Sequence, residues 1–238
     1  MRHSGHRSKV AQGLEKPQAT SEFPCSRAQT IAQWFGISHT QQHAPHSSID
    51  ARLPSVPAAR QILLITGPSG AGKSTLLREY RRRIPPRLRI ELQHLVLLRK
   101  PIIELFDELS LEEALLLLSR MGLAEAHSYL LPPAMLSDGQ RWRLRLAMAL
   151  YLAQHRPKPA AGPRDAGAAP CILADEFAGL LDRVTGTIVA NMLRRAVDGQ
   201  PGLRAIVASS RDDLAAALRP DVIVTCDFGR VYVQRAMQ

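Results

Sequence analysis

The sequence predicts an α/β domain built on a mainly parallel sheet. Three observations carry that expectation. From residue 61 onward, short apolar runs alternate with helical patterns, the arrangement of parallel strands joined by helices. A glycine-rich turn, Gly67 to Ser74, links the first apolar run to a helix. A later run, Cys171-Ile172-Leu173-Ala174, ends in two acids, Asp175 and Glu176.

Residues 1–58 are rich in His, Gln, Ser, Ala and Pro and read as a flexible, basic extension. One island inside it, Ser26 to Gly36, predicts a short helix docked on the main domain. Ser26 caps it, Ile31, Trp34 and Phe35 share a face, and Gly36 ends it. Residues 59–238 form the main domain. Gln61–Thr66 is its first strand, and the helix from Ser74 to about Arg83 stops before Pro85-Pro86. Leu88–Gln93 is a second strand. Ser110-Leu111-Glu112-Glu113 is a capping box for a helix to Met121, stopped by Gly122. A shorter helix runs towards Leu131 and ends at Pro132-Pro133, so residues 101–135 are a small helical insertion.

Gln140–Gln154 is helical, with Leu144, Ala147, Met148 and Tyr151 on one face. The Pro/Ala/Gly stretch 156–170 reads as a mobile loop. Cys171–Ala174 is a strand, 186–197 a helix, Leu203–Ala208 a strand and Asp212–Leu218 a helix. Val222–Cys226 and Arg230–Gln234 close the domain as a hairpin around Asp227-Phe228-Gly229.

Composition narrows the classes. At 238 residues the chain can bury one full α/β core beside its extension. Apolar runs such as Ala114–Leu118 are far too short to span a bilayer, and no apolar segment follows the basic start. A soluble, cytosolic protein is expected. The cysteines, Cys25, Cys171 and Cys226, lack a CxxC pair and read as reduced, two of them inside strands. His39, His43 and His46 have helical spacing, but their Gln, Ser, Ala and Pro surroundings give no fixed scaffold for a metal. The net charge is +10, with Arg78, Arg81, Arg82, Arg83, Arg87 and Arg89 close together. Only Tyr80 interleaves with them, so no base-stacking platform is indicated. A solvated basic face is the commoner reading; nucleic acid contact through the phosphate backbone stays open.

The turn Gly67-Pro68-Ser69-Gly70-Ala71-Gly72-Lys73-Ser74 has the complete spacing of a P-loop, flanked as required by a strand and a helix. Such a turn offers many backbone N–H groups in a small concavity, and the helix N-terminus favours negative charge. Lys73 can reach the β- and γ-phosphates of ATP, Ser74 can hold Mg²⁺, and Thr75 follows them into the cofactor-binding set. Asp175 would complete the Mg²⁺ shell. Glu176 would orient or deprotonate the attacking water.

Between these elements stands Leu136-Ser137-Asp138-Gly139-Gln140, followed by a basic and alanine-containing helix. This resembles the signature segment of the ABC ATPases, and Leu181-Asp182 sits where that family carries its D-loop. The order of phosphate loop, helical insertion, signature, double acid and D-loop is similar across residues 61–235. The resemblance implies a P-loop NTPase fold with a helical subdomain, and hydrolysis of ATP between two domains closed head to tail. Ser137, Gly139 and Gln140 would then contact the ATP of a second chain, as a homodimer or with an unseen partner.

Departures from the pattern qualify this. Asp138 replaces a glycine and places a carboxylate near a phosphate, which weakens closure unless it faces away. Phe177 stands where proline commonly follows the acids. Ser210 occupies the place of the switch histidine; it can hydrogen-bond a γ-phosphate but cannot act as an imidazolium, so slow hydrolysis is expected. The family's water- and Mg²⁺-sensing glutamine would be Gln93, and no convincing aromatic for the adenine ring directly precedes Gln61, which leaves Trp34 or Phe35 to stack there. A soluble ATPase driving something other than transport fits these features better than a transporter's nucleotide-binding subunit. A nucleic-acid-associated ATPase of this family would carry a long coiled coil, for which 101–135 leave no room.

Overall fold

The structure is a computed structural model, and it describes residues 26–36, 53–155 and 169–236. The chain divides into two compact units, 1–51 and 52–238. In the first, α1 (Ser26–Phe35) forms where the island predicts it, with Ile31, Trp34 and Phe35 exposed. The three helically spaced histidines, Cys25 and residues 156–168 lie outside the described residues.

In the second unit the elements run β1 (Ile62–Thr66), α2 (Lys73–Arg83), β2 (Arg89–Glu91), α3 (Leu111–Arg120), α4 (Ala126–Tyr129), α5 (Asp138–His155), β3 (Cys171–Ala174), α6 (Arg183–Gly199), β4 (Arg204–Ala208), α7 (Leu214–Leu218), β5 (Val222–Asp227) and β6 (Arg230–Arg235). The six strands make one sheet in the order β2-β3-β4-β1-β5-β6. Every neighbouring pair is parallel except the β5–β6 hairpin at one edge. β3 is buried along its whole length and β1 along nearly all of it. Their unbroken apolar sequence follows from helices covering both faces.

Alternate residues of each strand serve opposite faces. Ile62 and Leu64 of β1, Ile172 and Ala174 of β3, and Ala205 and Val207 of β4 share a core with α5, α6 and the 101–135 insertion. α2 packs against β1 and β4. The insertion holds α3, α4 and two short 3₁₀ turns, and the Ser110–Glu113 capping box forms as expected. α5 departs from the one-faced expectation: Leu146, Ala149 and Leu150 are buried along with Leu144, Ala147, Met148 and Tyr151. The cause is that α5 touches β2 and β3 on one side and α3 on another.

The second strand is also shorter than Leu88–Gln93. It ends at Glu91, and Leu92–His94 form a 3₁₀ turn. Glu91 receives Arg81 Nε at 2.7 Å and meets His94 Nδ1 at 2.7 Å. These contacts favour a turn over further strand, and Gln93 therefore sits on the turn.

At the amino-terminal edge of the sheet, Arg194 of α6 is almost fully buried. It donates to Asp221 (2.8 Å), Asp198 (2.6 Å) and the Arg60 carbonyl (2.8 Å), while Asp221 also accepts the Ile62 N–H at 2.8 Å. This clip joins α6 to the starts of β1 and β5. Only the arginine is buried: Asp198 and Asp221 stay partly open to solvent, and Asp221 keeps the Ile62 N–H without it. Arg194→Ala is expected to destabilise the domain by about 1–2 kcal/mol through its lost hydrogen bonds and packing, read as a lower urea midpoint; an unchanged midpoint would deny the clip a stabilising part.

Candidate functional site

The phosphate-loop turn leaves β1 at the carboxyl edge of the sheet. Gly67 has φ 134°, and a Cβ there would lie 2.1 Å from the Cys226 carbonyl oxygen. No other residue fits. Gly70 (φ 78°) and Gly72 (φ 98°) are left-handed too, and Gly72 stands as N-cap of α2. Pro68, Ser69, Gly70, Gly72 and Ser74 are exposed, Thr75 is half-buried, and Ala71 is buried. The Ala71 N–H closes the turn on the Pro68 carbonyl at 3.2 Å.

Lys73 is only 8% exposed. Its Nζ donates to the carbonyls of Gly67 (2.9 Å) and Pro68 (2.8 Å). The loop therefore holds its own cation beside the positive end of α2, a setting for an anion. Arg78 Nη2 donates to Thr75 Oγ1 at 3.0 Å.

The two acids follow β3, two strands away. Asp175 Oδ1 accepts the Glu176 N–H at 3.0 Å. Gln93 Nε2 donates to the Asp175 carbonyl, so the turn at the end of β2 brings Gln93 against the acid. Glu176 and Ala178 adopt left-handed φ values of 45° and 57°, strained for residues with a side chain and costing about 1 kcal/mol or more each. The surroundings hold them there. Phe177 is fully buried, meets Trp142 edge-on at 5.2 Å, and donates its N–H to the Ala208 carbonyl at 2.7 Å. Proline could not make that bond, and the buried edge-on contact with Trp142 gives an aromatic ring a place here. Ser209 Oγ donates to the Phe177 carbonyl at 3.0 Å, leaving Ser210 exposed just past β4.

Arg211 is a residue the sequence pattern does not single out. Its Nη1 donates to the carbonyls of Ala178 (3.0 Å) and Leu181 (2.7 Å), and its Nη2 pairs with Asp213 at 2.7 Å. The Arg211 guanidinium holds the Asp213 carboxyl below the usual carboxylate range. A Cβ at Gly186 would lie 2.7 Å from Arg211 Nη1, so that glycine makes room for the guanidinium.

Leu136–Gln140 opens α5. Gln140 N–H donates to Ser137 Oγ (3.2 Å), and Ser137 N–H donates to Gln140 Oε1 (2.9 Å). These are the two halves of a capping box. The Asp138 side chain is largely exposed and pairs with Arg141 at 3.2 Å. Gly139 lies against Leu181: a Cβ there would stand 3.4 Å from Leu181 Cδ2.

The structure thus joins Lys73 to its loop, Gln93 to Asp175, and Gly139 to Leu181. Ser74, Asp175 and Gln93 offer hydroxyl, carboxylate and amide oxygens, the hard donors that suit Mg²⁺. Of the arginine cluster, Arg81 pairs with Glu91 (2.7 Å), and Arg82 and Arg83 with Glu79 (3.0 and 3.9 Å). Such pairing is that of a solvated face.

Comparison with known proteins adds the following. A family model described as an AAA ATPase domain matches residues 47–190. Among solved structures, the dimeric bacterial ABC transporter cassette MJ0796 is similar at TM-score 0.55 and 21% identity, over 77% of this chain and 89% of that one. The same cassette in a post-hydrolysis state with ADP and Pi is similar at TM-score 0.53 and 21% identity, over 77% and 89%. An inward-facing ABC transporter described as of metal-chelate type is similar at TM-score 0.53 and 16% identity, over 77% of this chain and 76% of that one. No curated protein matches the chain. The structural likenesses establish the fold, and the family model establishes membership: this chain belongs to the AAA ATPase domain family and is an ATP-binding ATPase on the fold of the ABC cassettes.

Proposed function

We propose that this ATPase closes two copies of its domain head to tail around Mg-ATP, in the cytoplasm, to drive a process other than transport. The supporting observation is the placement of Lys73 with its glycine loop, and Asp175 with Gln93, at the same edge of one parallel sheet. In this reading Lys73 exchanges the Gly67 and Pro68 carbonyls for the β- and γ-phosphates. The loop's backbone N–H groups from Ser69 to Thr75 surround those phosphates. Ser74, Asp175 and Gln93 would hold Mg²⁺, which when bound would supply positive charge beside the phosphates. Glu176 takes the proton of the attacking water, and its left-handed backbone turns it out of the line of β3. Ser210 donates to the γ-phosphate without supplying a cation, so turnover is slow.

Closure assigns Ser137, Gly139 and Gln140 to the partner's ATP. The dimeric state named for the similar cassette MJ0796 supports this arrangement.

A second reading, the nucleotide-binding subunit of a membrane transporter, is favoured by one feature. A groove of about 480 Å³ runs between Leu95–Lys100 and α5, lined among others by Val96, Leu98, Tyr151 and Leu152. Val96 is 83% exposed, and a helix of a membrane subunit would cover it. No helix among the described residues is itself long and apolar enough to cross a membrane.

The phosphate loop is tested by Lys73→Ala, which removes the cation and keeps the fold. Calorimetry is expected to show loss of high-affinity Mg-ATP binding; unchanged affinity in a folded variant would sink the assignment. Closure is tested by Glu176→Gln, which keeps the shape and removes the base. Turnover is expected to fall by about a hundredfold, while light scattering shows a dimer with Mg-ATP and a monomer with Mg-ADP. A monomer with both nucleotides, at every concentration, would exclude the homodimer.

A further inference from the structure

We propose that Phe228, at the tip of the β5–β6 hairpin, is the stacking platform for the adenine ring of ATP. The proposal rests on the phosphate-loop reading above and adds to it the end of the ligand that the loop does not hold.

The first ground is position. β1 lies between β4 and β5. The residues that deal with the γ-phosphate end, Asp175, Glu176 and Ser210, follow β3 and β4, on one side of β1. A nucleotide whose phosphates turn towards those residues carries its nucleoside out over the other side, which is β5. The chain there is close to the loop, since the Cys226 carbonyl oxygen occupies the place of a Gly67 Cβ. The Lys73 ammonium is near enough to oppose in part the upward push that burial gives the Cys226 thiol. Phe228 follows two residues later, beyond the carboxyl edge of the sheet.

The second ground is that Phe228 is a poor choice for the turn it occupies. Asp227 pairs with Arg230, so Phe228 and Gly229 form a two-residue hairpin loop. Their φ values are 38° and 91°. Positive φ at both central residues is the type I′ pattern, which favours Asn, Asp or Gly at the first. A phenylalanine there costs conformational energy. Burial gives nothing back, because Phe228 is 70% exposed. A residue that is strained, apolar and open to solvent invites a functional explanation, and a flat aromatic ligand supplies one.

The third ground is elimination within the unit 52–238. Tyr80, Phe106, Trp142, Tyr151 and Phe177 are buried, and Tyr129 is half-buried and packed against the core. Of the exposed aromatic rings described there, Tyr232 lies inside the sheet opposite Thr225, and Phe228 stands at its edge.

The test compares two probes, ATP and inorganic tripolyphosphate, each with Mg²⁺, by calorimetry on the full chain. Phe228→Asn suits the turn better than the native residue, so folding is retained or improved. Base–aromatic stacking predicts that this variant binds ATP about tenfold more weakly and tripolyphosphate as well as the parent does. Phe228→Tyr and Phe228→Trp keep the ring and restore ATP affinity. ATP binding by Phe228→Asn at the parent's affinity would overturn the proposal, as would an equal loss for both probes. Failure of the underlying reading looks different: Lys73→Ala would then leave tripolyphosphate binding intact.

Discussion

No side chain fits at Gly67. The last carbonyl of the β5 core stands where its Cβ would be, and that contact exists because β1 pairs with β5 in parallel from Leu63 to Thr66. The phosphate loop is therefore shaped from below by the sheet. With β4 on the other flank, the loop leaves β1 between two fixed strands, turns on glycines in the left-handed region and delivers Lys73 to the first turn of α2. A β-carbon at Gly67 would force β5 away from β1 or the loop off its path, and either change moves the lysine.

The opposite wall is held by a different device. Glu176 and Ala178 accept left-handed backbone without being glycine, and the energy for that comes from their neighbours. Phe177 anchors the segment in the core and to β4, and Ser209 and Arg211 bind carbonyls on either side. Both walls are thus referred to the central strands: the loop to β1 and β5, the acids to β3 and β4. A shift of one strand would be felt at both. Strain concentrated beside the acids, with a rigid frame around it, is the pattern expected where geometry must be kept for chemistry.

Much of this was legible in the sequence. Apolar runs placed β1, β3, β4 and β5 within a residue of their observed ends, because fully buried parallel strands leave a continuous apolar record. The capping box at Ser110 is a local interaction and was equally plain. What was hidden depends on contacts distant in the chain. Gln93 joins a turn because Glu91 meets Arg81 and His94, and its partner Asp175 is 82 residues on. Arg211 gathers carbonyls from about 30 residues earlier. Phe177 reads as a departure from a motif until its N–H is seen to need Ala208. The one-faced pattern of α5 misled because a helix held between a sheet and an insertion buries several sides.

Asp138 raises the remaining question of how a carboxylate can stand in a segment proposed to meet a phosphate. Its geometry gives a partial answer. The side chain points into solvent and pairs with Arg141 one turn along, while the Ser137–Gln140 box keeps the start of α5 intact without it. An exposed pair of this kind is worth at most about 1 kcal/mol and weakens with salt. The arginine therefore screens the charge only partly, and the proposed closure would work against the remainder. Ser210, in place of a cationic partner for the γ-phosphate, adds no charge to compensate. In the proposed closure the two act at different points: Asp138 would reduce what the second chain contributes, and Ser210 would reduce what each chain gives the γ-phosphate in its own loop. In the proposed reading, a clamp built this way would close weakly on ATP and open readily once the γ-phosphate is gone.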